Sequence, residues 1–172
     1  MKVKIENTEY NIPQSWNDIT YNQFLLITAA ASRNAEPLEM LSLITGIDQE
    51  VLSHCTIQGL TDISTLVSFV QEVDTLEPYN VVDETLQVDI RNMPYYKYEI
   101  CSQEVKRLWA ELYPDKSQLE PEEVLNVYMN AAPVIVREYL EIEIGEMPVS
   151  TTYGLALFFS KVFLNSMTHI VS

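Results

Sequence analysis

The sequence predicts an α+β fold, a predominantly helical domain with short antiparallel β-hairpins at the N-terminus and in the middle. Two observations carry that prediction. Apolar residues recur at steps of three and four through 57–73, 105–112 and 124–128, the spacing of helices with one buried face. They alternate with polar residues only in short clusters, at 3–12 and 86–90, as half-buried antiparallel strands do. A doubly wound parallel sheet is disfavoured, because its strands read as continuous aliphatic runs.

Val3 and Ile5 alternate with charge, and Tyr10 and Ile12 resume the pattern after Glu6-Asn7-Thr8-Glu9, which predicts a hairpin over 1–13. Pro13 ends the extended run. Thr20 is placed as a helix N-cap, with Gln23 three residues on completing a capping box. Phe24, Leu25, Leu26 and Ile27 give that helix its apolar face, and it fades over Ser32 to Glu36. Pro37 suits the first position of a second helix carrying Leu38, Leu41, Leu43 and Ile44, with Gly46 as its left-handed stop. Asp48 caps a short third helix through Val51 and Leu52. Ile57, Leu60, Ile63, Leu66, Val67, Val70 and Val73 then mark an amphipathic helix starting near Thr61. Residues 14–75 thus read as a helical unit.

Pro78 breaks the pattern, and Val81, Val82, Leu86, Val88 and Ile90 predict a strand pair within 76–93. A second helical unit follows over 94–172. Val105, Leu108, Trp109 and Leu112 form one helix ending before Pro114; another starts at Pro121 with Val124, Leu125, Val127 and Tyr128, and Pro133 interrupts or kinks it. The alternation in Glu141-Ile142-Glu143-Ile144-Gly145 predicts a short strand, and a long terminal helix begins near Ser150. Neither a low-complexity tract nor a Gly/Ser linker divides the chain, so a single domain over 1–172 is expected. In the terminal segment, Lys161, Asn165 and His169 share one helix face. Lys161 near the middle of a membrane span would cost about 3 kcal/mol, so a core-packed helix is the better reading and no membrane is expected.

Composition excludes several functions. The chain has 10 Lys and Arg against 25 Asp and Glu, a formal charge of −15, which opposes both general nucleic-acid binding and docking on anionic lipid. The glycines at 46, 59, 145 and 154 stand singly, so no phosphate-cradling loop exists and no cofactor is expected. Cys55 and Cys101 lack paired spacing and read as buried free thiols, with a single disulfide between them as the alternative; with only His54 and His169 as other soft ligands, no metal site is expected. Adjacent on a helix, His54 and Cys55 would point about 100° apart, which does not make a nucleophile and base. Asp83, Glu84 and Asp89 read as a solvated acidic loop, and Glu138, Glu141, Glu143 and Glu146 as an exposed acidic face. The N-terminus lacks a signal-peptide apolar region, from which cytoplasmic synthesis is expected.

Two features point towards binding. Pro94-Tyr95-Tyr96-Lys97-Tyr98 gathers three tyrosines, open to core packing, to a protein interface or to stacking on single-stranded bases, for which a basic track is missing. No Lys or Arg occurs between Arg33 and Arg91 while acidic residues recur throughout; such a field attracts a basic partner or repels passing DNA, and ordinary solubility accounts for it equally.

The run Ile12-Pro13-Gln14-Ser15-Trp16-Asn17-Asp18-Ile19-Thr20, followed by Tyr21-Asn22-Gln23-Phe24, resembles the opening of small tail or neck structural and tail-assembly proteins of tailed bacteriophages, nearest to those of crAss-like phages. Leu43-Ile44-Thr45-Gly46-Ile47-Asp48 is similar to their second block, and Met147-Pro148-Val149 leading to Gly154-Leu155-Ala156-Leu157-Phe158-Phe159 to their closing helix. The resemblance lies mainly in residues 10–50 and covers no catalytic motif. It implies a non-enzymatic virion protein made in the host bacterial cytoplasm: a ring or connector subunit of the neck or tail. Its partners would be portal, tail or neck proteins and further copies in a homo-oligomeric ring, with DNA passing but not bound specifically. Val3, Ile5, Tyr95, Tyr96 and Tyr98 would supply ring contacts, and Glu138, Glu141 and Glu143 an acidic channel face. Two alternatives stand: a tail-assembly chaperone absent from the finished virion, and a hydrolase built on a carboxylate pair, which requires a concave pocket with convergent acids.

Overall fold

The computed structural model describes residues 1–5, 7–71 and 93–170. These residues form seven α-helices and one two-stranded antiparallel hairpin, a predominantly helical α+β fold. The strand pair expected within 76–93 lies almost entirely outside the described residues. Of the described residues, those within Met1–Glu77 and Glu146–Thr151 make one compact unit, and those within Pro78–Gly145 and Thr152–Ser172 a second.

In the first unit, strands β1 (Lys2–Ile5) and β2 (Thr8–Asn11) pair in register from Lys2 opposite Asn11 to Ile5 opposite Thr8. The Ile12 amide extends the ladder by donating to the Met1 carbonyl at 2.7 Å. A 3₁₀ turn over Trp16–Asp18, capped by the Ser15 hydroxyl, buries Trp16 between the rings of Phe24 and Phe69, both edge-on at 5.7 and 5.4 Å. Thr20 caps α1 (Tyr21–Ser32) by accepting from the Gln23 amide at 3.2 Å.

The buried face of α1 is Tyr21, Phe24, Ile27 and Ala30, one residue per turn. This departs from the expected apolar run: Leu25 is half-buried and Leu26 is exposed, because consecutive residues on a helix cannot share a face. Helix α2 (Pro37–Thr45) opens on Pro37 and closes on Gly46 at φ +69°, and Asp48 caps α3 (Gln49–Ser53). Helix α4 (Ile57–Leu66) starts four residues ahead of the expected Thr61, since Thr56 is its cap and accepts from the Gly59 amide at 3.1 Å. A 3₁₀ turn at Ser68–Gln71 follows. Residues 146–151 complete the unit through paired backbone bonds, Tyr21 to Met147 at 2.9 Å and Val149 to Ile19 at 2.8 Å.

The second unit is built on α5 (Tyr95–Leu112), α6 (Pro121–Leu140) and the part of α7 (Val149–Ile170) from Thr152 onward. Cys101, Val105 and Leu108 of α5 are buried, as are Ala131, Ala132 and Ile135 of α6 and Ala156, Phe159 and Phe163 of α7. The turn between α5 and α6 is tied by Trp109 Nε1 donating to the Lys116 carbonyl at 3.1 Å and Asn126 donating to the Tyr113 hydroxyl at 2.9 Å. Pro133 does not interrupt α6; the helix runs through it, its flanks Met129, Ala131, Ala132, Ile135 and Val136 all buried. Residues 141–144 are irregular rather than a strand: Glu141 takes a left-handed φ of +60° after the helix, and among the described residues no strand pairs with them. No helix among the described residues is long and apolar enough to cross a membrane.

Candidate protein interface

The tyrosine cluster occupies the first turn of α5 and divides in two. Tyr95 and Tyr96 are 76% and 61% exposed, and Ile100, one turn after Tyr96, is exposed beside them in sequence. Tyr98 turns inward and stacks on Phe163 at 5.6 Å; burial, helped by Tyr95, raises its phenol above the usual range. Tyr95 and Tyr96 are left open for contact, while the half-buried Tyr98 packs between Phe163 and the ring of Tyr95, 6.4 Å away.

Glu138, Glu141 and Glu143 follow the end of α6, and each has a cation within reach. Arg137 Nε donates to Glu138 at 3.2 Å and lies 3.7 Å from Glu143, while Lys97 Nζ donates to Glu141 at 3.5 Å. Three carboxylates thus share two cations, and one net negative charge remains on the group. The Glu138 side chain is largely covered, whereas those of Glu141 and Glu143 remain open to solvent.

Val3 is half-buried and Ile5 buried. With Lys4 they line a groove of about 370 Å³ against Cys55, Thr56 and Ile63, so Ile5 is committed to this unit's own packing. His54, Cys55 and Asp62 also border the groove, but as two tied groups rather than a relay. His54 Nδ1 lies 2.8 Å from the Glu50 carbonyl, and the Cys55 thiol donates to Val51 at 3.7 Å. Cys101 is buried in the second unit, where burial, with a smaller contribution from Glu138, pushes its thiol up to about 11. Among the described residues, no three His, Cys, Asp or Glu side chains are grouped to hold a metal ion.

A concavity of about 680 Å³ runs between α2 and α4. Leu38 and Leu41 form one wall, Ile57 and Leu60 the other. A hydroxyl row continues along α4 from Thr61 through Ser64 and Thr65 to Ser68 in the 3₁₀ turn, and Glu36 and Gln71 stand among the lining residues. Ile57 is 86% exposed, and with Leu38, Leu41 and Leu60 in the same lining it belongs to an apolar patch rather than standing singly. The sequence signal was present in the Ile57–Leu60 step, but periodicity marks an apolar face without saying what covers it. A scan against protein-family models, a search of the curated proteins and a search of the solved structures each gave no match.

Proposed function

We propose that this chain is a non-enzymatic structural subunit of a tailed-phage virion, a ring or connector component of the neck or tail through which DNA passes. The observation that carries the reading is the apolar groove between α2 and α4, open among the described residues; in the second unit Tyr95 and Tyr96 are separately exposed, and both surfaces suit protein contact. The residues of the phage-like opening support it from another side. Ile12, Trp16, Ile19 and Phe24 are all buried, and Thr20 caps α1, so the resemblance falls on residues that specify how the first unit folds. A net charge of −15 suits a protein that DNA must pass without adhering. Since the Glu138 side chain is covered, Glu141 and Glu143 are the members of that trio able to face a channel.

A tail-assembly chaperone is the second reading, and the openness of the same groove favours it, because a holding protein must present an apolar seat before its client arrives. A carboxylate-pair hydrolase gains no support from the two grooves described: Glu36 is the sole acid lining the larger, and Asp62 the sole acid lining the smaller. The test is quantitative mass spectrometry of purified, DNA-filled virions, counting this chain against the portal protein. A fixed ratio near or above that of the portal is expected. Presence in infected cells but absence from virions would overturn the connector reading in favour of the chaperone.

A further inference from the structure

Resting on the reading of this chain as an assembly protein, we propose that the α2–α4 groove receives a basic amphipathic helix of a partner protein. The apolar half of the argument is shape. Leu38 and Leu41 face Ile57 and Leu60 across the groove, and the hydroxyl row of α4 carries the trough onward to Gln71. Helix α4 alone, ten residues at about 1.5 Å each, offers a seat for two to three helical turns. Leucine-rich stripes at i, i+3, i+4 and i+7 are the usual occupants of such grooves.

The charged half fixes the sign of the partner. From Asn34 to Gln71 the chain carries Glu36, Glu39, Asp48, Glu50 and Asp62 and not one Lys or Arg. The nearest cation in sequence, Arg33, is spent on an ion pair with Glu39. Glu36 is the charged residue of the groove lining, and it has no ion-pair partner among the described residues. A helix bearing Lys or Arg beside its apolar stripe therefore gains attraction at this site that a neutral or acidic helix does not. The same stretch of a second copy is a poor occupant by the same rule, since Asn34 to Gln71 carries five acidic residues and no Lys or Arg. Segment 72–92 also matches poorly in charge, with six acidic residues to one Arg.

The test is a fluorescence anisotropy titration of the full chain with three labelled synthetic helices: one with a leucine stripe flanked by lysines, the same peptide with glutamates replacing the lysines, and a scramble of the first that keeps its charge. The lysine helix is expected to bind saturably and about tenfold or more tighter than either control, weakening as salt rises from about 50 to about 300 mM. Ile57→Ser, at a side chain already open to solvent, should weaken the lysine helix severalfold while the far-UV circular dichroism stays unchanged; Glu36→Gln should flatten the salt dependence. Equal affinity for the lysine helix and its scramble would overturn the proposal, as would Ile57→Ser binding like wild type. No binding by a chain that is nevertheless found in virions would reject the basic helix and leave the assembly role standing. Binding by a chain absent from virions would keep the basic helix and overturn the connector reading in favour of the chaperone.

Discussion

Gln23 provides the sharpest test of how the first unit is held together. Its side-chain amide donates to the Leu43 carbonyl at 2.8 Å and to the Ile44 carbonyl at 2.9 Å, in the last turn of α2. One side chain thus satisfies two carbonyls that the end of a helix leaves without intrahelical donors. At about 1 kcal/mol net for each neutral bond, Gln23→Ala should cost about 2 kcal/mol, shading towards 1 because the half-buried carbonyls can recruit water. Gln23→Glu should cost more at neutral pH, about 3 kcal/mol, since a carboxylate would face two carbonyl oxygens. The carboxyl of this variant would have its folded pKa raised above the unfolded value, so the added penalty is complete above the folded pKa and recedes as pH falls through it. The assay is equilibrium urea unfolding followed by Trp16 emission in a Trp109→Phe background, which reports the unit containing Trp16. If Gln23→Ala matches wild type to within about 0.3 kcal/mol, the bridge contributes nothing and the argument fails. Equal stability of Gln23→Glu at neutral and acid pH would refute the electrostatic half.

Three further outcomes are expected. Iodoacetamide at pH 8 should label the half-buried Cys55 and spare Cys101 until denaturant is added: with its thiol pushed to about 11, Cys101 holds about one part in a thousand as thiolate, and it is buried. Peptide mapping by mass spectrometry reads the order directly, and early labelling of Cys101 would contradict it. Gly46→Ala should cost about 1 kcal/mol from the left-handed φ of +69° alone, because an added Cβ meets nothing within 4 Å; thermal melts of Ala and Asn variants should rank Gly first, then Asn, then Ala. The hydrogen bond from Arg107 holds the Glu104 carboxyl below its usual range, so Glu104 favours folding above the unfolded carboxylate pKa and that contribution is lost as pH falls through the folded one. Acid unfolding of Glu104→Gln should therefore be slightly less steep than wild type, while unchanged steepness would remove Glu104 from the acid response.

Helix punctuation was the legible part of the sequence, because caps act over three or four residues. Thr20, Pro37, Gly46, Asp48 and Pro121 all stand where their local chemistry places them. Competition between two equally good local signals hid the start of α4: Thr56 and Thr61 both precede apolar steps, and the hydroxyl of Thr56 takes the cap. Thr61 instead donates back to the Ile57 carbonyl at 2.9 Å inside the helix. Alternation at 141–145 imitates a strand, yet a strand exists only with a neighbour to pair with, which is a tertiary fact. Pro133 shows the reverse, a local breaker overridden by buried packing on both sides. The candidate interface was the least legible. Gln23 reads as half of a capping box but reaches across to α2, and Ile57 reads as core but is 86% exposed. Both depend on where α2 lies relative to its neighbours, which no window of a few residues contains.

The central claim is that the α2–α4 groove is an interface, and hydrogen–deuterium exchange tests it most directly. The chain would be compared free in solution and in the native assembly isolated from infected cells. Occupation of the groove predicts slower exchange confined mainly to Pro37–Thr45 and Ile57–Leu66. Uptake unchanged in both helices, with protection appearing elsewhere on the chain, would contradict it.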